Sequence, residues 1–302
     1  MDSSARWFAI LVLWVLASGP GQAQELEPRA LTNVPVGTNF LLVGYAYANG
    51  NILLDPAVDI EDLNADLHTF VGAYVRSVSV FGLSGKVDAL VPFATGDWTG
   101  VVAEVDSSTS RTGIGDPRVR LSVNFAGAPA LTAAEFADFQ QEVVFGAALQ
   151  IIPPLGHYEK DKFLNLGSNR WTFRAQVGAS KIAGPWIMEA YAGGWFFTEN
   201  TEFLGDLSRK QKPLWTAKVH MIRATRQGRW LALDVGYGIG GRAVVEGRET
   251  DTRISAFRFG LTAAVPVSPR QTLRLVVASG ARIEKGPDFD VLGISYQYRW
   301  GK

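Results

Sequence analysis

The feature that most constrains the fold is an alternation of apolar and polar residues with a period of two. In the segment RWTFRAQVGA (170–179), Trp171 and Phe173 occupy one set of positions, whereas Arg170 and Arg174 occupy the other. Because successive side chains of a β-strand point to opposite faces, this segment predicts a strand with one apolar and one polar face.

The same pattern recurs along most of the chain, in about twelve segments, and no amphipathic helix of core size is found among them. We therefore predict an all-β protein. The predicted strands begin near residues 39, 68, 85, 116, 142, 169, 185, 214, 229, 252, 271 and 289.

Two all-β architectures contain such strands. A soluble sandwich turns its apolar faces inward to a core, whereas a membrane barrel turns them outward to lipid and encloses a polar lumen. The segments have the length of about 9–11 residues that a tilted strand needs to cross the hydrocarbon. Aromatic residues gather at the segment ends, as in interfacial girdles, and the chain ends in the aromatic strand ISYQYRW. We predict a transmembrane antiparallel up-and-down β-barrel of about 12 strands.

The connections between the predicted strands alternate between short turns and long polar loops, as in outer-membrane barrels. One connection on the turn side is an exception, because it carries a capping box (Thr132 with Glu135) and a staple pair (Leu131 with Phe136), and these predict a short helix. The short turns lie at 82–85, 181–184, 226–229 and 267–270, and the long loops at 50–65, 95–114, 154–168, 199–212 and 242–251.

The N-terminus predicts export. A basic residue, Arg6, precedes the apolar run Trp7–Ala17, and small residues follow, which is the organisation of a cleaved signal peptide. We assign residues 1–23 to the signal peptide and 24–302 to the barrel domain. The chain has no cysteine, which excludes disulfides, and a net charge of zero, which gives no reason to expect nucleic acid as a partner.

Several motifs resemble a known family. They are GIGDPRVRL (113–121), LNLGSNRWTF (164–173), SKIAGPWIMEAYAGGWFFTEN (180–200), GGR (240–242) and DFDVLGISYQYRW (288–300). Together, and in this order, they resemble the outer-membrane transporter-like family named for the meta-pathway of phenol degradation. The resemblance implies an outer-membrane barrel that transports hydrophobic or aromatic compounds, and it assigns no catalytic residue.

The alternation also assigns side chains to the lumen, and the assigned set is mostly basic. An interior lined by arginine and lysine favours anions, although such residues also fill small barrels and pair with carboxylates across strands. The predicted pore-lining residues are Arg76, Lys86, Asp88, Arg118, Arg120, Arg170, Arg174, Glu189, Lys218, His220, Asp234, Arg258, Arg274 and Arg299.

Other motifs are weaker. GYGIGG (236–241) has the letters of a dinucleotide loop but is followed by a polar segment rather than a helix. The three histidines form no metal motif, so we expect neither a metal nor another cofactor.

We predict a non-enzymatic channel of the bacterial outer membrane for passive uptake of a small, aromatic or anionic solute. The expected partners are outer-membrane lipid, the barrel assembly machinery acting on the C-terminal strand, and the solute. The alternatives are a lipid-acting barrel enzyme with His220 as its base, and a filled structural or adhesive barrel.

Overall fold

The computed structural model describes residues 26–52, 57, 60–102, 104–285 and 288–301. The predicted signal peptide lies outside these residues. The described strands are β1 (Asn39–Asn51), β2 (Glu61–Val80), β3 (Leu83–Val102), β4 (Val105–Ile114), β5 (Arg118–Ala126), β6 (Val143–Ile152), β7 (Thr172–Ala183), β8 (Trp186–Phe197), β9 (Asn200–Phe203), β10 (Leu207–Gln211), β11 (Leu214–Ala224), β12 (Trp230–Gly240), β13 (Ala243–Val245), β14 (Arg248–Glu249), β15 (Ile254–Ser268), β16 (Gln271–Lys285) and β17 (Asp288–Trp300).

Twelve of these strands close into one antiparallel barrel. Successive barrel strands pair with each other, and β1 completes the ring by pairing with both β2 and β17. The prediction of an up-and-down barrel of about twelve strands is therefore confirmed, and the sandwich is excluded. The barrel strands are β1, β2, β3, β5, β6, β7, β8, β11, β12, β15, β16 and β17.

The two ends of the barrel differ as the alternating connections predicted. The turn end carries tight connections such as Phe81–Gly82 between β2 and β3. The first residue of β1, Asn39, and the last residue of β17, Trp300, also lie at this end and pair with each other. The loop end carries the long connections. Its predicted loops contain more strand than expected, because residues 95–102 form the end of β3 and residues 105–114 form its partner β4. The connections 199–212 and 242–251 contribute β9, β10, β13 and β14 to a separate four-stranded sheet.

The barrel wall has an apolar outside and a polar inside. In β7 and the residue pair before it, Trp171 and Val177 are 45% and 55% exposed, whereas Arg170 and Arg174 are 8% and 3% exposed. Large apolar side chains are exposed in the same way around the ring. A water-soluble protein would not present so much contiguous apolar surface, so this belt is the surface expected of a wall that faces lipid.

The turn end also holds the helix α1 (Ala133–Phe136). Its predicted capping box is present, since the Glu135 carboxylate accepts a hydrogen bond of 2.8 Å from the Thr132 amide and Thr132 Oγ1 accepts one from the Glu135 amide. The staple contact between Leu131 and Phe136 stays a prediction. No helix in the described part of the chain is long and apolar enough to cross a membrane.

Candidate functional site

The lumen is filled by the chain segment that precedes β1. Residues 26–34, which we call the plug, run inside the barrel, where Leu26 and Glu27 are each 2% exposed. The plug is tied to the turn end by the hydrogen bond from the Val36 amide to the Leu131 carbonyl, at 2.8 Å. The sequence pattern did not predict that this segment enters the lumen, because the segment does not alternate between apolar and polar residues.

Glu27 on the plug meets a group of four basic side chains from the wall, which we call the cationic cluster (Arg118, Arg120, Arg174 and Lys218). Oε1 of Glu27 lies 2.8 Å from Nη1 of Arg120 and 3.9 Å from Nη2 of Arg118. Oε2 lies 3.5 Å from Nη1 of Arg174 and 3.8 Å from Nζ of Lys218. These cations come from β5, β7 and β11, so one carboxylate joins three separate parts of the wall.

The rest of the plug is held by polar contacts with the wall. The Arg29 amide donates to Oε2 of Glu189 at 2.6 Å, and the Tyr191 hydroxyl donates to the same oxygen at 3.0 Å. Nζ of Lys86 donates to the Ala30 carbonyl at 2.7 Å. Since the plug has no strand partner, these side chains satisfy backbone groups that would otherwise be buried without hydrogen bonds.

The Glu27 carboxylate is a counterion for all four cations of the cluster. Removing one partner of a buried ion pair is strongly destabilising, because the charges that remain have lost both water and their counterion. Arg120 has a second partner, as its Nε donates to Oδ2 of Asp88 at 2.9 Å. Arg118, Arg174 and Lys218 also make contacts beyond those with Glu27.

An apolar cluster occupies part of the lumen toward the loop end. Leu26 at the tip of the plug belongs to a buried cluster that extends to Trp98 and Val291 on the wall and to Leu164 on a loop. Gly260 makes room for the plug, because Cδ1 of Leu26 lies 2.6 Å from the position that a Cβ would occupy on that glycine. Two adjacent plug residues thus have different surroundings, since Leu26 belongs to an apolar cluster and Glu27 meets the cationic cluster.

Little free space is left beside the plug. A cavity lined by Ala30, Leu31 and Lys86, among others, has a volume of about 20 Å³, which holds about one water molecule. A larger concavity of about 710 Å³ lies outside the wall, among small outward-facing residues such as Ala175 and Ala217. It opens to the apolar outer face and therefore offers no route through the barrel.

The structure places most of the predicted pore-lining residues inside the barrel. Arg299 is half-buried at the turn end, where its Nη2 donates to the Pro269 carbonyl at 2.8 Å. That these residues line a path for solute stays a prediction. The twelve that are buried inside are Lys86, Asp88, Arg118, Arg120, Arg170, Arg174, Glu189, Lys218, His220, Asp234, Arg258 and Arg274.

Arg76 was assigned to the wrong face. In β2 the buried positions are Ala73 and Val75, so Arg76 points outward, where Nη1 is 3.4 Å from Oδ1 of Asn39. The alternation was ambiguous here because apolar residues stand on both faces of the strand near the turn end. An exposed guanidinium at the end of a strand can reach the aqueous boundary, so it costs far less than one at mid-depth.

His220 lies in the lumen in a hydrogen-bonded group. Its Nδ1 is 2.6 Å from Oδ1 of Asp234, and the Thr262 hydroxyl donates to Oδ2 of Asp234 at 2.6 Å. Nε2 of His220 has no hydrogen-bond partner among the described residues. A hydrolase base needs a nucleophile within hydrogen-bond reach of this nitrogen, and the lipid-acting alternative stays a hypothesis. The described residues also contain no group of three or more side chains suited to hold a metal ion.

Asp116, in the loop between β4 and β5, organises the loop end. Its Oδ1 accepts from the Gly156 amide at 2.8 Å, and its Oδ2 accepts from the amide and hydroxyl of Ser168 at 2.8 and 2.6 Å. Burial raises the pKa of the Asp116 carboxyl, and the hydrogen bonds from Ser168 and Gly156 oppose that rise. The carboxylate therefore fastens both ends of the 156–168 loop beside the lumen.

Replacing Asp116 with alanine should loosen this loop. Three donors would lose their acceptor, at a cost of about 1–3 kcal/mol for partly buried groups. Hydrogen exchange of the Gly156 and Ser168 amides should accelerate by roughly 10-fold or more, following the factor of ten per 1.4 kcal/mol. Asp138→Ala, an exposed change at the turn end, serves as the control. Unchanged exchange in the Asp116 variant would contradict the fastening role.

Sequence reasoning missed Glu27, because it considered only the strand positions. One signal was available, namely that the predicted lumen set holds many more cations than carboxylates. Such an excess calls for a counterion, and the acidic residues of the non-alternating segment before β1 were candidates.

Comparisons with known proteins agree with the barrel fold. A family model described as "Putative MetA-pathway of phenol degradation" matches residues 55–291. The fold is similar to an outer membrane channel from Pseudomonas putida F1, with 20% identity, a TM-score of 0.76, and coverage of 91% of this chain and 100% of the other. It is also similar to the beta domain of the Bordetella autotransporter BrkA, with 10% identity, a TM-score of 0.50, and coverage of 87% and 100%. No curated protein matches the chain.

Proposed function

Because the chain belongs to the family described as "Putative MetA-pathway of phenol degradation", and because its fold is that of an outer-membrane barrel, we propose that it is a channel of the bacterial outer membrane. The channel gives passive passage to a small aromatic or anionic solute. The resemblance to the Pseudomonas putida channel supports this function through the shared barrel. The expected partners are membrane lipid around the apolar belt and the barrel assembly machinery at β17.

The observation that carries the proposal is how the lumen is filled. Its interior is occupied by the plug, which side-chain contacts hold against the wall and whose C-terminal end leads through Val36 into the start of β1. The plug contributes no strand to the ring. It can therefore leave without breaking any strand pairing, whereas a lumen filled by wall side chains could not open in this way.

A reversible crosslink between the plug and the wall tests the proposal. Cδ2 of Leu26 lies 3.2 Å from the position of a Cβ on Gly236. In the double variant Leu26→Cys with Gly236→Cys, a short reducible thiol crosslinker can therefore join the two cysteine side chains. The chain has no native cysteine to interfere. In planar bilayers with sodium benzoate as the electrolyte, the crosslinked protein should be closed, and a reducing agent should restore its conductance.

The single variant Leu26→Cys, treated with the same reagent, controls for modification alone. A filled structural barrel is the second candidate function, since the cavity beside Ala30, Leu31 and Lys86 has space for only about one water molecule. That candidate predicts no conductance before or after reduction. Equal conductance in the locked and reduced states would contradict a moving plug, and persistent silence after reduction would contradict the channel.

A further inference from the structure

We propose that the cationic cluster is a binding site for monocarboxylates with an apolar body, and that Leu26 and Glu27 of the plug occupy it as a built-in mimic of that ligand. This inference rests on the proposed function and names the solute class that the same lumen accepts. The expected ligand carries two adjacent groups, a carboxylate and an apolar body.

The carboxylate part follows from the contacts of Glu27. Both of its oxygens face cations, with Arg120 at 2.8 Å from Oε1 and Arg174 at 3.5 Å from Oε2. Oε2 is buried and accepts no hydrogen bond from the described residues. Guanidinium groups bind carboxylates best through paired hydrogen bonds. The tether thus holds the Glu27 carboxylate 3.5–3.9 Å from Arg118, Arg174 and Lys218, and a freely orienting carboxylate could approach them more closely.

The apolar part follows from the neighbour of Glu27. Leu26 extends toward the loop end, into the cluster that includes Trp98, Leu164 and Val291. A ligand whose carboxylate replaced that of Glu27 would place its body where the Leu26 side chain now lies. Burial of that body contributes roughly 25 cal/mol per Å² of apolar area removed from water. A fully hydrophilic anion would gain nothing there.

The tether explains how binding and passage are linked. Glu27 competes with a free ligand at an effective concentration in the millimolar range, which is typical of short flexible connections. A carboxylate arriving from the loop end would displace the plug residue from the cluster and so weaken the closed state. In a binding measurement, removing the Glu27 carboxylate removes this competitor.

Titration calorimetry of Glu27→Ala with sodium benzoate tests the site. Benzoate should bind this variant at least ten-fold more tightly than it binds the unaltered protein. Binding should be lost again in Glu27→Ala combined with Arg120→Gln. Sodium hexanoate should behave like benzoate if any apolar body is accepted, and weaker hexanoate binding would restrict the site to aromatic bodies. Benzamide, which has the ring without the charge, should bind neither protein above its partition into detergent.

Three results would overturn the inference. They are equal benzoate affinity in the variant and the unaltered protein, benzamide binding as tight as benzoate, and inorganic phosphate binding tighter than benzoate at matched ionic strength. Glu27→Gln provides a second variant if Glu27→Ala does not fold, as judged by its heat-modifiable mobility on gels. These titrations measure binding and not flux. If the crosslinking experiment contradicted the channel, the titrations could still show whether the site binds benzoate. If the titrations failed, the crosslinking experiment could still show whether the plug closes a channel.

Discussion

Replacing Glu27 with glutamine should release the plug and open the barrel. The change leaves the shape of the side chain nearly constant but removes the charge that four cations surround at 2.8–3.9 Å. Loss of one partner from a buried ionic group costs about 3–5 kcal/mol. The barrel can avoid this cost by expelling the plug and letting water reach the cations. A cost of about 3 kcal/mol would raise the ratio of open to closed molecules by roughly 100-fold.

Trypsin provides a direct measurement of release. Arg29 on the plug is 9% exposed, so the bond after it should resist cleavage in the unaltered protein and be cut rapidly in Glu27→Gln. Planar-bilayer recordings should show longer or larger openings in the same variant. Glu61→Gln removes an exposed carboxylate at the loop end and should change neither readout. Continued protection of Arg29 together with unaltered conductance would show that Glu27 does not hold the plug.

The second large effect is expected on the outside of the wall. Val219 is 54% exposed at the centre of β11, whereas its neighbour Lys218 is 3% exposed and faces Glu27. Val219→Arg should lower the free energy of unfolding from lipid by about 2–4 kcal/mol, because an arginine at mid-depth would face hydrocarbon. Denaturant titration of the protein folded in lipid vesicles measures this difference.

Val219→Leu is the matched control, since it keeps an apolar side chain at the same depth. Its cost should stay far below that of Val219→Arg, because the added methylene group is apolar and contacts hydrocarbon. If Val219→Arg were as stable as Val219→Leu, the outward face of β11 would have to contact water rather than lipid. That result would remove the physical basis for treating the apolar belt as a membrane surface.

Much of the fold was predictable because the alternation is a local property. Each strand of a barrel has one wet and one apolar face, so the identity of residues such as Arg174 and Val177 already encodes their orientation. The turn-end helix was predictable for the same reason, since Thr132 and Glu135 cap it within one turn. The prediction was wrong at Arg76, where residues on both faces are apolar and local pattern carries no information about direction.

The extent of order at the loop end was not predictable from local pattern. Residues 95–114 were interpreted as a loop, yet β3 continues to Val102 and pairs from Phe93 to Val102 with β4. The polar strand β4 needs no apolar face, because most of its side chains are exposed. What creates it is pairing between backbones, which sequence periodicity does not report.

The sequence by itself determined an approximate strand number, the closed antiparallel order and the basic character of the interior, because these follow from side-chain alternation and turn spacing. Only the tertiary structure decided that a non-periodic segment threads back through the ring and that Glu27 meets Arg118, Arg120, Arg174 and Lys218. The physical reason is distance along the chain. Charges that lie about 90 to 190 residues apart attract each other only once the wall has closed around them, and no local pattern records that encounter.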